Sequence, residues 1–442
     1  MTHRLGLLCP LAALGLLVGV LVSPAAAVPS CFGEEATNPD LVGTSGADTL
    51  TGTPGPDVII AKDGNDHIDG RGGDDKICGG HGNDTISGGP GFDQINAGGG
   101  SDTSVSGDAG DDVIYGGDGN DHLLGSGDND KLIGGRGDDQ LSGGTGTDYI
   151  RYDSAPDPGV VIDLVGLTAT GGAGTDTLVA VAGVADVEGA YGSGFSDTFI
   201  GDAQANRFIG NAGDDTFVVS AGDDLLSGGD HTTGDRVTLQ RMSVSGGVEV
   251  NLANETISWG GPTPTTQHVT YIENVTGSAA ADRITGDELK NVLSGGGGAD
   301  TLSGAAGDDK VYGGAGDDTI NLGYGSDRGA GGDGNDDIAG SAGNDALYGG
   351  GGADVIRPGV GNDTAFGSGG RDSIYWSDGR DKLHGQGGAD RIYGGKRRDI
   401  FFGGAGSDSL IGGPGNDDFD GGRGMDRCRQ QAGRGAKHSC ER

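Results

Sequence analysis

Over most of the chain an apolar side chain returns at every ninth position, with a polar residue on each side of it. Leu50, Ile59, Ile68, Ile77 and Ile86 begin one such series, and Leu293, Leu302, Val311 and Ile320 belong to another. Three residues with the middle one apolar make a minimal strand whose central side chain faces one way and whose neighbours face the other. The six residues between successive strands are mostly Gly, Asp and Asn, as in Gly313-Gly314-Ala315-Gly316-Asp317-Asp318. Such a stretch predicts a turn rather than a helix. Two nine-residue units then form one coil, with strands in opposite sheets and a single apolar ladder between them. At about 4.8 Å per coil, roughly 33 units would stack to about 80 Å.

The period divides the chain. About 12 units run over 43–151, about 4 over 192–228 and about 17 over 277–429, with one extra residue, placed at Ser106, in the first block. Segments 152–191 and 229–276 break the period and resemble each other. Val160-Val161-Ile162-Asp163-Leu164 parallels Val248-Glu249-Val250-Asn251-Leu252, and Val187-Glu188 parallels Ile272-Glu273. Both are expected to be β-rich connectors that cap one roll and restart the next. The ladder is expected to be weakest at Ser104, Gly329 and Ala365.

The turn residues carry the chemistry. Gly at the first, second and fourth positions allows positive φ, and Asn or Asp at the fifth (Asn65, Asp74, Asn83, Asn120) is expected for its tolerance of the left-handed region. At the sixth position Asp is nearly invariant, Asn206 and Asn291 being the exceptions. Composition sharpens this: of 66 acidic residues only eight are Glu, and the formal charge is −38. Carboxylates stacked one coil apart repel unless a cation lies between them. Carboxylate and carbonyl oxygens without thiols suit Ca²⁺ rather than zinc or copper. With 99 Gly, 33% hydrophobic residues and 5% aromatics, burial alone is a poor account of how the chain orders itself. Collagen is excluded, since Gly does not recur every third residue. The acidity leaves no face for nucleic acid.

Residues 1–27 read as an export signal: His3 and Arg4, an apolar run from Leu5 to Val22, then Ala25-Ala26-Ala27 as a small-residue cleavage site. The mature chain holds no second apolar stretch and so no membrane span. Residues 28–42 and 430–442 are expected to be end caps. Four cysteines remain after cleavage, Cys31, Cys78, Cys428 and Cys440. An even count in an exported chain implies two disulfides with three pairings to choose from, and placement along the chain favours Cys31–Cys78 and Cys428–Cys440. HExxH, GxSxG and Walker-type motifs are absent, and the eight His are scattered among turn positions, so no enzyme is expected. The most unusual exposed-looking stretch, with Trp259, Pro262, Pro264 and His268, marks the second connector as the alternative: a Ca²⁺-dependent module for a cell-surface glycan or protein ligand.

The unit resembles the RTX, or haemolysin-type, calcium-binding repeat, GGxGxDxUx with U a large apolar residue. That resemblance implies an all-β, right-handed parallel β-roll (a β-solenoid) with Ca²⁺ between adjacent turns of one edge, held by sixth-position carboxylates and turn carbonyls. Carried over position by position, the metal-binding residues would be Asp48, Asp57, Asp66, Asp75, Asp84, Asp93, Asp102, Asp112, Asp121, Asp130, Asp139 and Asp148 in the first block. Asp197, Asp215 and Asp224 follow in the second. The third would supply Asp282, Asp300, Asp309, Asp318, Asp327, Asp336, Asp345, Asp354, Asp363, Asp372, Asp381, Asp390, Asp399, Asp408, Asp417 and Asp426. The expected protein is secreted, extracellular and non-catalytic, with a structural or adhesive role and folding coupled to Ca²⁺.

Overall fold

The computed structural model describes residues 30–153, 159–171, 174–181, 184–242, 246–260, 265–375 and 377–441. The expected export signal over residues 1–27 and Pro262, Pro264 and Trp376 lie outside the described residues. Two stacks of short strands run the length of the molecule, each stack joined by parallel pairing at an 18-residue register. Leu50 pairs with Ile68 and Ile68 with Ile86 in one stack, Ile59 with Ile77 and Ile77 with Ile95 in the other. Each coil therefore holds two units, and the whole is a parallel β-roll of about 20 turns. The eighth-position side chains meet between the stacks and are almost wholly buried. Where that position is Phe, rings stack along the ladder, Phe199 on Phe217 at 5.0 Å and Phe401 on Phe419 at 4.8 Å.

Two of the expected weak points are filled. The extra residue is absorbed ahead of Ser104–Ala109, not at Ser106, so that Val105 pairs with Ile86 and occupies the ladder at 0% exposure. Gly329 leaves no void, because the first residue of its own unit is Leu322 instead of Gly. A Cβ on Gly329 would stand 2.9 Å from Leu322 Cδ2, and Leu322 is itself fully buried. Ala365 remains a small ladder residue, in a unit opened by the buried Pro358.

The connectors carry the stack through instead of capping it. Each is an antiparallel meander whose outer strands pair in parallel with the rolls on either side. In the first, Gly174–Leu178 continues below Gln140–Thr145, while Val161–Asp163 continues into Thr198–Ile200. In the second, Thr265–Thr270 pairs with Leu225–Asp230, and Val248–Asn251 with Arg283–Thr285. The likeness between 160–164 and 248–252 is thus a likeness of place: Ile162 meets Phe199 as Val250 meets Ile284. A roll cut at either point would expose unpaired strand edges, and the inserted hairpins avoid that.

Both cysteine pairs are bonded, with Cα–Cα distances of 5.8 Å. Cys31 and Cys78 pack with Val58 and Ile60 outside the main ladder, whereas Cys428 and Cys440 close its far end. Among the described residues no helix is long and apolar enough to cross a membrane.

Candidate metal centres along the turn edges

The turns set two rows of carboxylates, one on each edge of the roll. All the sixth-position aspartates lie in these rows, and all except the half-buried Asp48 are buried. Each row is held by one repeated hydrogen bond, in which the amide of an Asp donates to Oδ1 of the Asp one coil further on. Asp57 donates to Asp75, Asp75 to Asp93, Asp300 to Asp318 and Asp318 to Asp336, all at 2.8 Å. The span suits a two-carbon side chain, which accounts for the scarcity of Glu. A Glu in a row occurs only where the regular coil stops: Glu188 accepts from the Asp148 amide, Glu273 from Asp235 and Glu441 from Asp426.

The second oxygen is the informative one. Oδ2 is buried and without a hydrogen-bond partner in every predicted site residue except Asp48, Asp57, Asp197, Asp224, Asp282, Asp381 and Asp417. Backbone oxygen approaches the same place: a Cβ on Gly70 would stand 2.5 Å from the Gly88 carbonyl oxygen and 2.6 Å from Asp75 Oδ2. First-position Gly is therefore needed for room, while positive φ falls at the second and fourth positions, as at Gly80 (112°) and Gly82 (136°). Fifth-position Asn and Asp are not left-handed, contrary to expectation. They work through their side chains: Asn83 Oδ1 accepts the Ser101 amide at 2.8 Å and Asn335 Oδ1 the Ala353 amide at 2.9 Å, tying adjacent coils.

Burial makes these carboxylates hard to ionise. Desolvation, reinforced by neighbouring row charges and opposed by the amide donor, pushes Asp75, Asp102, Asp300 and Asp345 up to about 7 and Asp112 to about 8. Buried carboxylate oxygens without donors, with turn carbonyl oxygens close by, call for a cation, and a hard, oxygen-seeking one. The residues fit Ca²⁺. It would supply positive charge between successive turns, and Oδ2 atoms with turn carbonyls would hold it.

The seven exceptions are served by the protein. Thr44 and Thr53 donate amides to Asp48 and Asp57 Oδ2 at 2.6 Å, Ser193 and Ser278 do the same for Asp197 and Asp282, and the Ser377 hydroxyl serves Asp381. Gln267 and Gln430 Nε2 reach Asp224 and Asp417 at 2.7 Å. Asp57, so bonded, lies below the usual carboxylate range, since hydrogen bonds from Thr53 and Thr37 outweigh its burial. Asn206 and Asn291 continue the rows by donating their backbone amides to Asp224 and Asp309 Oδ1, while their own neutral Oδ1 atoms accept the local amides of Asp202 and Asp287.

Sequence reasoning missed five row members, one of them Glu441 in the C-terminal cap. Asp176 accepts the Asp139 amide and Asp235 that of Asp215, both inside supposed connectors, and Glu188 and Glu273 end rows there. Asp235-Arg236-Val237-Thr238 repeats the D-x-U-x half of the unit, a signal hidden by two extra turn residues before it.

Residues 42–77, 78–108, 104–132, 124–155, 191–226, 285–320, 294–329, 321–356, 330–365, 366–396 and 393–427 match the RTX calcium-binding nonapeptide repeat. The chain belongs to that family. No curated protein matches it. Among solved structures, the extracellular lipase LipA from Serratia marcescens is 19% identical over 45% of this chain and 32% of its own, with a TM-score of 0.17. The RTX chain thus spans about a third of that lipase.

Proposed function

We propose that this RTX chain is a secreted, non-catalytic protein of the extracellular space, whose turn edges bind many Ca²⁺ ions and whose role is structural or adhesive. The observation that carries the reading is the run of buried Oδ2 atoms without partners along both edges. Each is a desolvated acceptor that costs stability unless a ligand meets it, and Ca²⁺ is the common ion whose ligand chemistry these oxygens match. The export signal read from residues 1–27 agrees with the reading, because extracellular modules of this kind work with Ca²⁺ sites of Kd on the order of 10⁻⁴–10⁻³ M. Calorimetric titration of the mature chain tests it. Ca²⁺ should bind at many sites per chain and Mg²⁺ far more weakly, since Mg²⁺ demands a tighter octahedron. Equal binding of both ions, or of neither, would refute the reading.

One observation favours a binding module at the second connector as the alternative. A cleft of about 530 Å³ there is lined by Trp259, Glu249, Ser258 and Arg283, which pairs a ring face with polar groups as a glycan or peptide site would. A glycan array probed with and without Ca²⁺ decides between a purely structural role and this one.

A further inference from the structure

One turn of the β-roll differs from all its neighbours in the atoms it brings together. Between Gly229 and Asp235 the chain carries two extra residues, so Asp215 reaches Asp235 across 20 positions instead of 18. The longer loop is tied down by Asp214, whose carboxylate accepts the amides of Thr232 at 2.9 Å and Thr233 at 2.7 Å and the Thr233 hydroxyl at 2.6 Å. That anchoring turns His231 back over the row. Its Nδ1 lies 3.6 Å from Asp235 Oδ2, 3.4 Å from Glu273 Oε2 and 3.2 Å from the Gly229 carbonyl oxygen. Asp235 is fully buried, and its Oδ2 has no hydrogen-bond partner. Glu273 Oε2 accepts the Asp235 amide at 2.9 Å, which fixes the second carboxylate.

We infer that His231, Asp235 and Glu273 form a separate site for a divalent transition ion of the zinc type. The ligand atoms all lie within 4.8 Å of one another. Donors bound to one zinc ion at about 2.0–2.1 Å in a tetrahedron lie about 3.3–3.5 Å apart, and His231 already stands near that distance from both carboxylates. An imidazole nitrogen raises affinity for zinc-type ions and adds little for Ca²⁺, which prefers oxygen. The partly exposed His231 ring (31%) leaves an entry path, while the buried Asp235 supplies the charge. This site does not rest on the calcium reading of the other turns.

The test uses the full mature chain in millimolar Ca²⁺, with Zn²⁺ as the probe and Co²⁺ as its spectroscopic substitute. One equivalent of Zn²⁺ should survive gel filtration in excess Ca²⁺, and Co²⁺ should show the intense visible bands of a tetrahedral site. His231→Ala should weaken Zn²⁺ binding by roughly tenfold or more, a loss at least as large as that from removing an outer-shell partner. His67→Ala, at an exposed His in the first array, should leave it unchanged. His231→Gln, which keeps the side-chain bulk, stands in if the Ala variant loses its circular-dichroism signature. Zn²⁺ displaced by Ca²⁺, or bound equally by the His231 variants, would overturn the inference. So would a His231 that merely holds a proton between the two carboxylates, with NMR signals unmoved by Zn²⁺. Ca²⁺-dependent folding, read separately by circular dichroism, is unaffected by any of these outcomes.

Discussion

At the scale of the residue, the two oxygens of a row Asp do different work. Oδ1 holds the coil by accepting one amide, whereas Oδ2 is left for a cation unless a Ser, Thr or Gln claims it. Substitution by Asn keeps the first role and removes the charge from the second. Asp318→Asn should therefore cost one ion, whereas Asp381→Asn, with its Oδ2 already bonded to Ser377, should cost none. Asn291→Asp should instead strengthen or add a site. For Kd on the order of 10⁻⁴–10⁻³ M, an ion at millimolar Ca²⁺ contributes about 0.4–1.4 kcal/mol, readable as a shift in urea midpoint beside the ion count. Equal loss in the two Asp→Asn variants would contradict this division of labour. Acid gives a second handle. In chelator, Asp75, Asp102, Asp112 and Asp300 have folded-state pKa values of about 7–8, well above an unfolded value near 4. Their contribution to stability is full below about pH 4 and is lost as pH rises through 7–8. The metal-free chain should thus gain β-structure between pH 8 and pH 5, and the Ca²⁺-loaded chain should not. Identical chelator spectra at the two pH values would count against desolvated row carboxylates. The rows themselves were legible in the sequence, because Asp recurs in phase. Their satisfied members were not: Ser377 caps its Asp, whereas Ser341, at the same place in its unit with φ at 74°, leaves Asp345 Oδ2 bare.

At the scale of the element, a nine-residue unit is a closed exchange of volume. Leu322 at the first position and Gly329 at the eighth swap the usual assignment of small and large, and the ladder stays full. Leu322→Ala should open a cavity and cost about 2–5 kcal/mol. Gly329→Leu alone should overpack against Leu322 and cost about 1–3 kcal/mol. The double change Leu322→Gly with Gly329→Leu restores the ordinary unit and should recover most of the loss in urea unfolding with Ca²⁺ present. Additive losses would show that the two positions do not share one space. Strand period, inward residue and two-unit coil were all readable from the spacing of Ile59, Ile77 and their like. Position-by-position comparison within a unit could not show that a substitution at its start repairs one at its end. Nor could it show that fifth-position Asn serves the next turn's amide, since that partner lies 18 residues away.

At the scale of the whole molecule, a chain with 99 Gly and a formal charge of −38 is ordered around a ladder one side chain wide. Gly enlarges the entropy of the unfolded state, and the rows add repulsion to the folded one. Ions that bind turns and hardly the coil reverse that balance by mass action, weakly at one site and decisively over many. Because the meanders at 160–178 and 248–270 pass the stack on, ordering in one array has a template in the next, as in other quasi-one-dimensional repeats. Reading the breaks in period as caps missed this, since antiparallel hairpins leave no nine-residue mark. Far-UV circular dichroism of the mature chain at neutral pH, recorded in chelator and then through a Ca²⁺ titration, tests the central claim most directly. Coil in chelator, passing cooperatively to β-structure as Ca²⁺ reaches the millimolar range, is the predicted result. A full β spectrum that persists after exhaustive chelation would contradict it.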